Sequence, residues 1–326
     1  MIPKLILHDY KWMEYADVMR LASLDLLKYA RRDSHVFYVN PDTDVGRDGQ
    51  HSGMKYRSPL NTIEEALSKV ESGRGDFVII QASDTDITEG DIEIAKTDIV
   101  IAGMTPANMG RVTLKPSDDP STAIFACTNA SNRIVFKNLR INGHGDGGDD
   151  VVAINVVGKA NYTDGFLVED CIFELCGNGI VTSNAGSASD WVIRNNLLIN
   201  CDNGIQGYFH HGEIYGNRII KTVTTALTVG ISLLDNTTTA DSDGCMVHHN
   251  TVLGGIEGTT PMADGIKVAA ACYGVGVWEN RVSGCTTNIT VVDNTAASHA
   301  IFNITGDGRE GGGEWADAET YLNASA

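Results

Sequence analysis

From about residue 124 onward the chain repeats a short template, and that recurrence limits its folds more than any other feature. Val135-Phe-Lys-Asn138, Leu167-Val-Glu-Asp170, Val192-Ile-Arg-Asn195, Ile214-Tyr-Gly-Asn217, Val247-His-His-Asn250 and Val277-Trp-Glu-Asn280 each place an aliphatic residue three positions before Asn or Asp. A degenerate copy ends at Asn303, and the successive intervals are 32, 25, 22, 33, 30 and 23 residues. A unit this short cannot bury its own apolar face, so neighbouring units must stack and share one core. A firm minimum with variable excess describes a coil of short strands whose surplus residues leave as loops.

A second element recurs inside the unit: Cys176-Gly-Asn-Gly-Ile180, Cys201-Asp-Asn-Gly-Ile205 and Cys285-Thr-Thr-Asn-Ile289, with partial copies at Asp264-Gly-Ile266 and Gly230-Ile231. Asn and Gly accept the left-handed backbone that a sharp corner demands. Each unit therefore reads as strand, Asn corner, strand, Gly corner, strand, with successive coils pairing in parallel about 4.8 Å apart. Val135, Leu167, Val192, Ile214, Val247 and Val277 are expected to form one interior column. The fold class is all-β, a right-handed single-stranded parallel β-helix with an N-terminal helical segment. These corners and returns, with the opening Tyr38-Val-Asn-Pro41 and Thr62-Ile-Glu-Glu-Ala-Leu67, resemble the right-handed parallel β-helix superfamily that includes pectate lyases and phage tailspikes. The resemblance spans roughly residues 36–306 and implies the fold. It leaves function open, because the superfamily holds lyases, hydrolases, epimerases, adhesins and virion spikes.

Three regions are expected: an N-terminal helical anchor or cap over 1–34, the β-helix over 35–306, and an acidic tail over 307–326 with a short helix at Glu314–Leu322. Residues 9–32 read as one helix, with a polar stripe of Glu14, Asp17, Asp25, Lys28 and Arg32 opposite Trp12, Met13, Ala16, Met19, Ala22, Leu26 and Tyr29. Such a helix would plug the open end of the solenoid or dock on another subunit. His35–Asn40 reads as the first strand. A second helix follows, with Ser58 as N-cap, Pro59 at its first position and Ile63, Ala66, Leu67 and Val70 on its apolar face. Strands are then expected at Phe77–Ile80, Ile87–Ile94 and Ile99–Ile101.

The net charge of −18, from 42 acidic and 24 basic residues, argues against a nucleic-acid partner. No apolar run reaches membrane-spanning length. The opening Met1–Asp9 is too short and too quickly charged for a secretory signal, so synthesis in the host cytoplasm is expected. Seven cysteines, odd in number and without CxxC spacing, read as buried free thiols. No cofactor is expected.

No catalytic residue can be assigned. The loop Gly143–Asp150 offers His144, Asp146, Asp149 and Asp150 as acidic-loop candidates. Polygalacturonases share the fold and carry Asp-Asp and Gly-His-Gly motifs, but on different coils, whereas here both lie in one loop in reversed order. Inverting glycoside hydrolysis needs two carboxyl groups about 6.5–9.5 Å apart across a sugar bond. A solvated glycine-rich loop explains this segment better, and weak Ca²⁺ binding by its aspartates is compatible with it. The arginine segment of pectate lyases is missing; Arg194 and Arg218 read as exposed charges beside Glu169 or Glu213. The pairs His210-His211 and His248-His249 should point to opposite faces of a strand, so no metal site is expected there. Trp191 and Trp278 are candidates for carbohydrate contact, since an indole face stacks on sugar rings. Packing under a loop is the competing explanation for both.

Three functional classes remain: a structural surface protein of a phage virion (head decoration or tail spike), a lyase or hydrolase of acidic polysaccharide, and a noncatalytic adhesin. The first is favoured. It implies a homotrimer on the virion surface, joined to other virion proteins through the N-terminal helix, with glycans as a further partner.

Overall fold

The computed structural model describes residues 15–105, 107, 112–116, 123–128, 131–143, 151–156, 163–182, 188–224, 227–234, 242–255, 260–270, 272–291, 298–301, 303–306 and 316–317. Three long sheets run the length of a right-handed parallel β-helix. The first takes ten strands in chain order: Val36–Val39, Asp76–Ile80, Thr97–Gly103, Asn132–Lys137, Leu167–Glu169, Val192–Arg194, Glu213–Tyr215, Met246–His248, Gly276–Trp278 and His299–Ile301. The second runs from Thr113–Leu114 to Ile304–Gly306, and the third from Ile92–Ile94 to Cys285–Val291. Ten rungs on the first sheet make nine steps of about 4.8 Å, hence about 43 Å of length. An antiparallel pairing joins Ala316–Asp317 to Ile304–Thr305, inside the segment expected to be a C-terminal helix.

The repeat is real, but its register differs from the expected one. Phe136, Val168, Ile193, Ile214, Val247 and Val277 form the interior column, while Val135, Leu167 and Val192 line up in the column of Glu213 on the outer face. The first three units are thus displaced by one residue, which turns every side chain to the opposite face. The cause is that Asn serves two adjacent columns. Asn138, Asp170 and Asn195 occupy left-handed corners, at φ 56°, 56° and 56°, followed in later coils by Gly216, His249 and Glu279. The next residue along forms a buried ladder of Asn196, Asn217, Asn250, Asn280 and Asn303.

Each ladder member is fully used. Asn217 Oδ1 accepts from the backbone N–H and Nδ2 of Asn196 at 3.1 and 3.0 Å, while Asn217 Nδ2 donates to Ile193 O at 2.9 Å. The pattern recurs through Asn250, Asn280 and Asn303. Buried amides are tolerable only when so satisfied, and a satisfied ladder fixes the register of successive coils.

The glycines of the Asn-Gly-Ile returns lie within strands of the third sheet rather than at corners. A Cβ on Gly179, Gly204 or Gly230 would meet the carbonyl oxygen of the next coil's glycine at 2.6, 2.5 and 2.6 Å. Close approach of backbones, not left-handed φ, explains them. Ile180, Ile205, Ile231, Ile266 and Ile289 stack beside them in register.

At the N-terminal end the second helix, and not the first, covers the axial core. Helix α1 covers Tyr15–Ser23, followed by a 3₁₀ turn at Leu27–Tyr29, while Trp12 and Met13 lie outside the described residues. Val18, Leu21 and Leu26 pack on Val36, Tyr38, Phe77, Ile79, Val100 and Ala102, the outer side of the first sheet. This segment clamps the flank of the solenoid instead of plugging its end. Ala16 and Met19, expected on the apolar face, are exposed; Asp17 is buried because its carboxylate accepts from Tyr38 Oη at 2.6 Å. Helix α2, Ile63–Lys69, joins the axial core through Ile63, Ala66 and Leu67 and closes that end. Its N-cap is Thr62, whose side chain accepts from Glu65 N, not Ser58. The hydroxyl is also held by Asp48, which displaces the start four residues from the Ser-Pro signal.

All seven cysteines are free and six are buried. Burial pushes the Cys171 and Cys285 thiols up to about 12.

Candidate functional site

Alternation leaves the last residue of each first-sheet strand from Asn132–Lys137 to Gly276–Trp278 facing outward, and parallel in-register pairing stacks those residues into one column. Lys137, Glu169, Arg194, Tyr215, His248 and Trp278 follow one another along the axis.

The half nearest the N-terminus is a closed charge network. Lys137 Nζ contacts Glu169 Oε1 and Asp170 Oδ2, each at 2.7 Å, and Arg194 Nε donates to Glu169 Oε2 at 2.8 Å. Tyr29, from the clamping segment, donates to Glu169 Oε1 at 3.2 Å. Glu169 is 2% exposed. Burial alone would raise its carboxyl, but the hydrogen bonds and charges of Lys137 and Arg194 outweigh burial and hold it below the usual carboxylate range. The same carboxylate and burial push the Tyr29 phenol up. The expected pairing of Arg194 with Glu169 is present, though the acid is buried. Arg218 lies apart, on the second sheet, and Glu213 instead contacts His248.

Aromatic rings make up the other half. Arg194 Nη1 donates to Tyr215 Oη at 2.8 Å, joining the two halves. The Tyr215 and His248 rings stack at 5.1 Å and 6°, and the His248 and Trp278 rings at 4.6 Å and 12°. Gly276 makes room for the indole, since a Cβ there would sit 2.6 Å from the Trp278 ring. All three rings are half-buried and reach the surface. This aromatic column was not anticipated as a unit. Its signal is that Tyr215, His248 and Trp278 each stand two residues before a ladder Asn.

The two tryptophans separate. Trp191 is 0% exposed, stacked on Phe166 at 4.6 Å and 10° with the Phe209 edge at 5.7 Å. It is core, and the expectation of sugar contact at Trp191 is corrected. Trp278 stays at the surface, with His248 covering one face of its ring. The acidic-loop candidates His144, Asp146, Asp149 and Asp150 lie outside the described residues.

The histidine pairs also depart from expectation. His211 and His249 adopt φ 52° and 55°, so strand alternation fails at each pair and the rings converge. The Nδ1 atoms of His248 and His249 are 2.8 Å apart, with Glu213 Oε1 3.0 Å from His248 Nε2 and Glu279 Oε2 2.6 Å from His249 Nε2. Among the described residues no group of three or more His, Cys, Asp or Glu converges as a metal cage. No helix among them is long and apolar enough to cross a membrane.

No family model matches the chain, and no curated protein matches its sequence. Among solved structures the chain is similar to the pectin methylesterase from Aspergillus niger, with TM-score 0.51 and 15% identity over 81% of this chain and 91% of that one. It also aligns with pectate lyase Pel9A (TM-score 0.43, 13% identity, 83% and 78% covered) and with ORF18 of Geobacillus virus E2 (0.34, 13%, 90% and 64%). At such identities the likeness establishes the parallel β-helix fold and nothing about activity.

Proposed function

We propose that the chain is a structural surface protein of a phage virion, a head decoration or tail spike, whose β-helix is a rigid platform that touches glycans. The observation that carries this reading is the outer column of the first sheet. Lys137 and Arg194 are neutralised by Glu169 and Asp170, and Tyr215, His248 and Trp278 stack on one another. Side chains committed to their neighbours make a stiff, preorganised face, which suits display and contact better than bond-making chemistry. A surface of aromatic edges and one partly covered indole is suited to weak carbohydrate contact.

On this reading the protein works as a homotrimer and attaches to its particle through its N-terminal helix. The acidic balance keeps a displayed protein soluble. Mass spectrometry of purified particles tests the placement: the chain is expected among the stoichiometric virion proteins. Its absence from particles and recovery from a cell-surface fraction would instead establish the adhesin reading.

A further inference from the structure

His248 ends the strand Met246–His248 with its ring outward, held between Tyr215 and Trp278. His249 follows in a left-handed corner at φ 55°, which brings its ring beside that of His248. Glu213 and Glu279 face the two Nε2 atoms, at 3.0 and 2.6 Å. Carboxylate oxygens only accept, so each Nε2 carries its proton toward its glutamate and the two Nδ1 atoms are left facing each other. At 2.8 Å their lone pairs repel each other unless a cation lies between them. A ring whose far N–H is held by a carboxylate is also how proteins orient metal-ligating histidines.

From this arrangement we propose that His248 and His249 chelate one copper(II) or nickel(II) ion through their Nδ1 atoms, on the rim of the first sheet. The bite selects the metal. With metal–nitrogen bonds of about 2.05 Å, a 2.8 Å separation subtends about 86° at the ion. That is close to the right angle of tetragonal copper(II) or nickel(II) sites and far from the wider angle of tetrahedral zinc. Copper(II) stands highest in affinity among the divalent first-row ions. Among the described residues no third His, Cys, Asp or Glu joins the pair, so water completes the coordination. The stack on Tyr215 and Trp278 fixes the His248 ring before the ion arrives, and the side chain of His249 is 57% exposed, so the site is open to solvent.

Titration of the full chain with copper(II), followed by electron paramagnetic resonance, tests the proposal. One equivalent should give a tetragonal spectrum with two nitrogen ligands, and part of the tryptophan emission should be quenched in step because Trp278 stacks on a ligand. Trp278→Phe should keep the spectrum and lose that quenching. His249→Asn, which retains a residue tolerant of the left-handed corner, should lose one nitrogen and at least tenfold in affinity. Glu279→Gln should weaken binding about tenfold while keeping both nitrogens. A wild-type spectrum and affinity in His249→Asn would place the copper elsewhere and overturn the proposal. So would a wild-type chain with no stoichiometric two-nitrogen spectrum, which would mean that a proton alone bridges the pair.

Discussion

Asn250 closes over Asn217: its Oδ1 accepts from the backbone N–H and from Nδ2 of Asn217, each at 3.0 Å. Its own Nδ2 donates to Ile214 O at 2.8 Å and to Asn280 Oδ1 at 3.0 Å. One buried side chain therefore ties three coils together, and coil registry rests on this ladder.

Replacement of Asn250 by Leu should cost about 3 kcal/mol, because it leaves the Asn217 N–H groups buried without an acceptor and each such group costs about 1–3 kcal/mol. Denaturant unfolding of Asn250→Leu checks this. A change below about 0.5 kcal/mol would show that the ladder does not hold the register.

Glycines at return and corner should respond differently. Gly230→Ala drives a Cβ to within 2.6 Å of Gly265 O and 2.8 Å of Val252 Cγ1, so two coils must separate, at about 2–3 kcal/mol. Gly274→Ala meets nothing within 4 Å and bears only its φ of +65°, about 1 kcal/mol. Thermal melts of the two variants should rank in that order.

The architecture was legible because the Asn template and the Asn-Gly-Ile returns recur, and recurrence survives an error in alignment. Register was not legible. In Asn195-Asn196 the corner residue and the ladder residue are the same amino acid side by side, and Asn138 and Asp170 pull the alignment toward the corner column. Phe166 and Trp191, which each directly precede a first-sheet strand, stack as core; with the right register their shared place would have marked Trp191 as buried. The His248–His249 convergence was hidden for a different reason. Strand alternation holds only while φ stays extended, and His249 shows itself as a left-handed corner only once the register puts it directly before the ladder Asn250.

Acid should loosen the clamp of the N-terminal segment. Glu169 has a folded pKa below its unfolded value, so the stability it contributes is present above about pH 4.3 and is lost as pH falls through the lower folded value. Lys137, whose pKa is raised, stays charged throughout that window. Glu169→Gln should cost about 2–3 kcal/mol near pH 7, because it leaves the buried Lys137 with Asp170 as its only carboxylate partner, and should flatten the acid limb of the melting-temperature profile.

The tryptophans should divide between stability and contact. Trp191→Ala removes a fully buried ring and should cost about 3–5 kcal/mol. Trp191→Phe keeps the stack on Phe166 and discards an indole N–H without a partner among the described residues, and should cost about 1 kcal/mol. Trp278→Ala gives up one stacked contact, also about 1 kcal/mol. Chemical denaturation should set Trp191→Ala apart from the other two variants.

Binding of the purified chain to a panel of acidic and neutral glycans, beside Trp278→Ala, bears most directly on the outer column as a contact surface. At least one glycan should be retained by the wild-type chain and bound at least tenfold more weakly by the variant, while both melt within a few degrees of each other. Equal retention by the two proteins, or no glycan bound by the wild-type chain, would contradict the account.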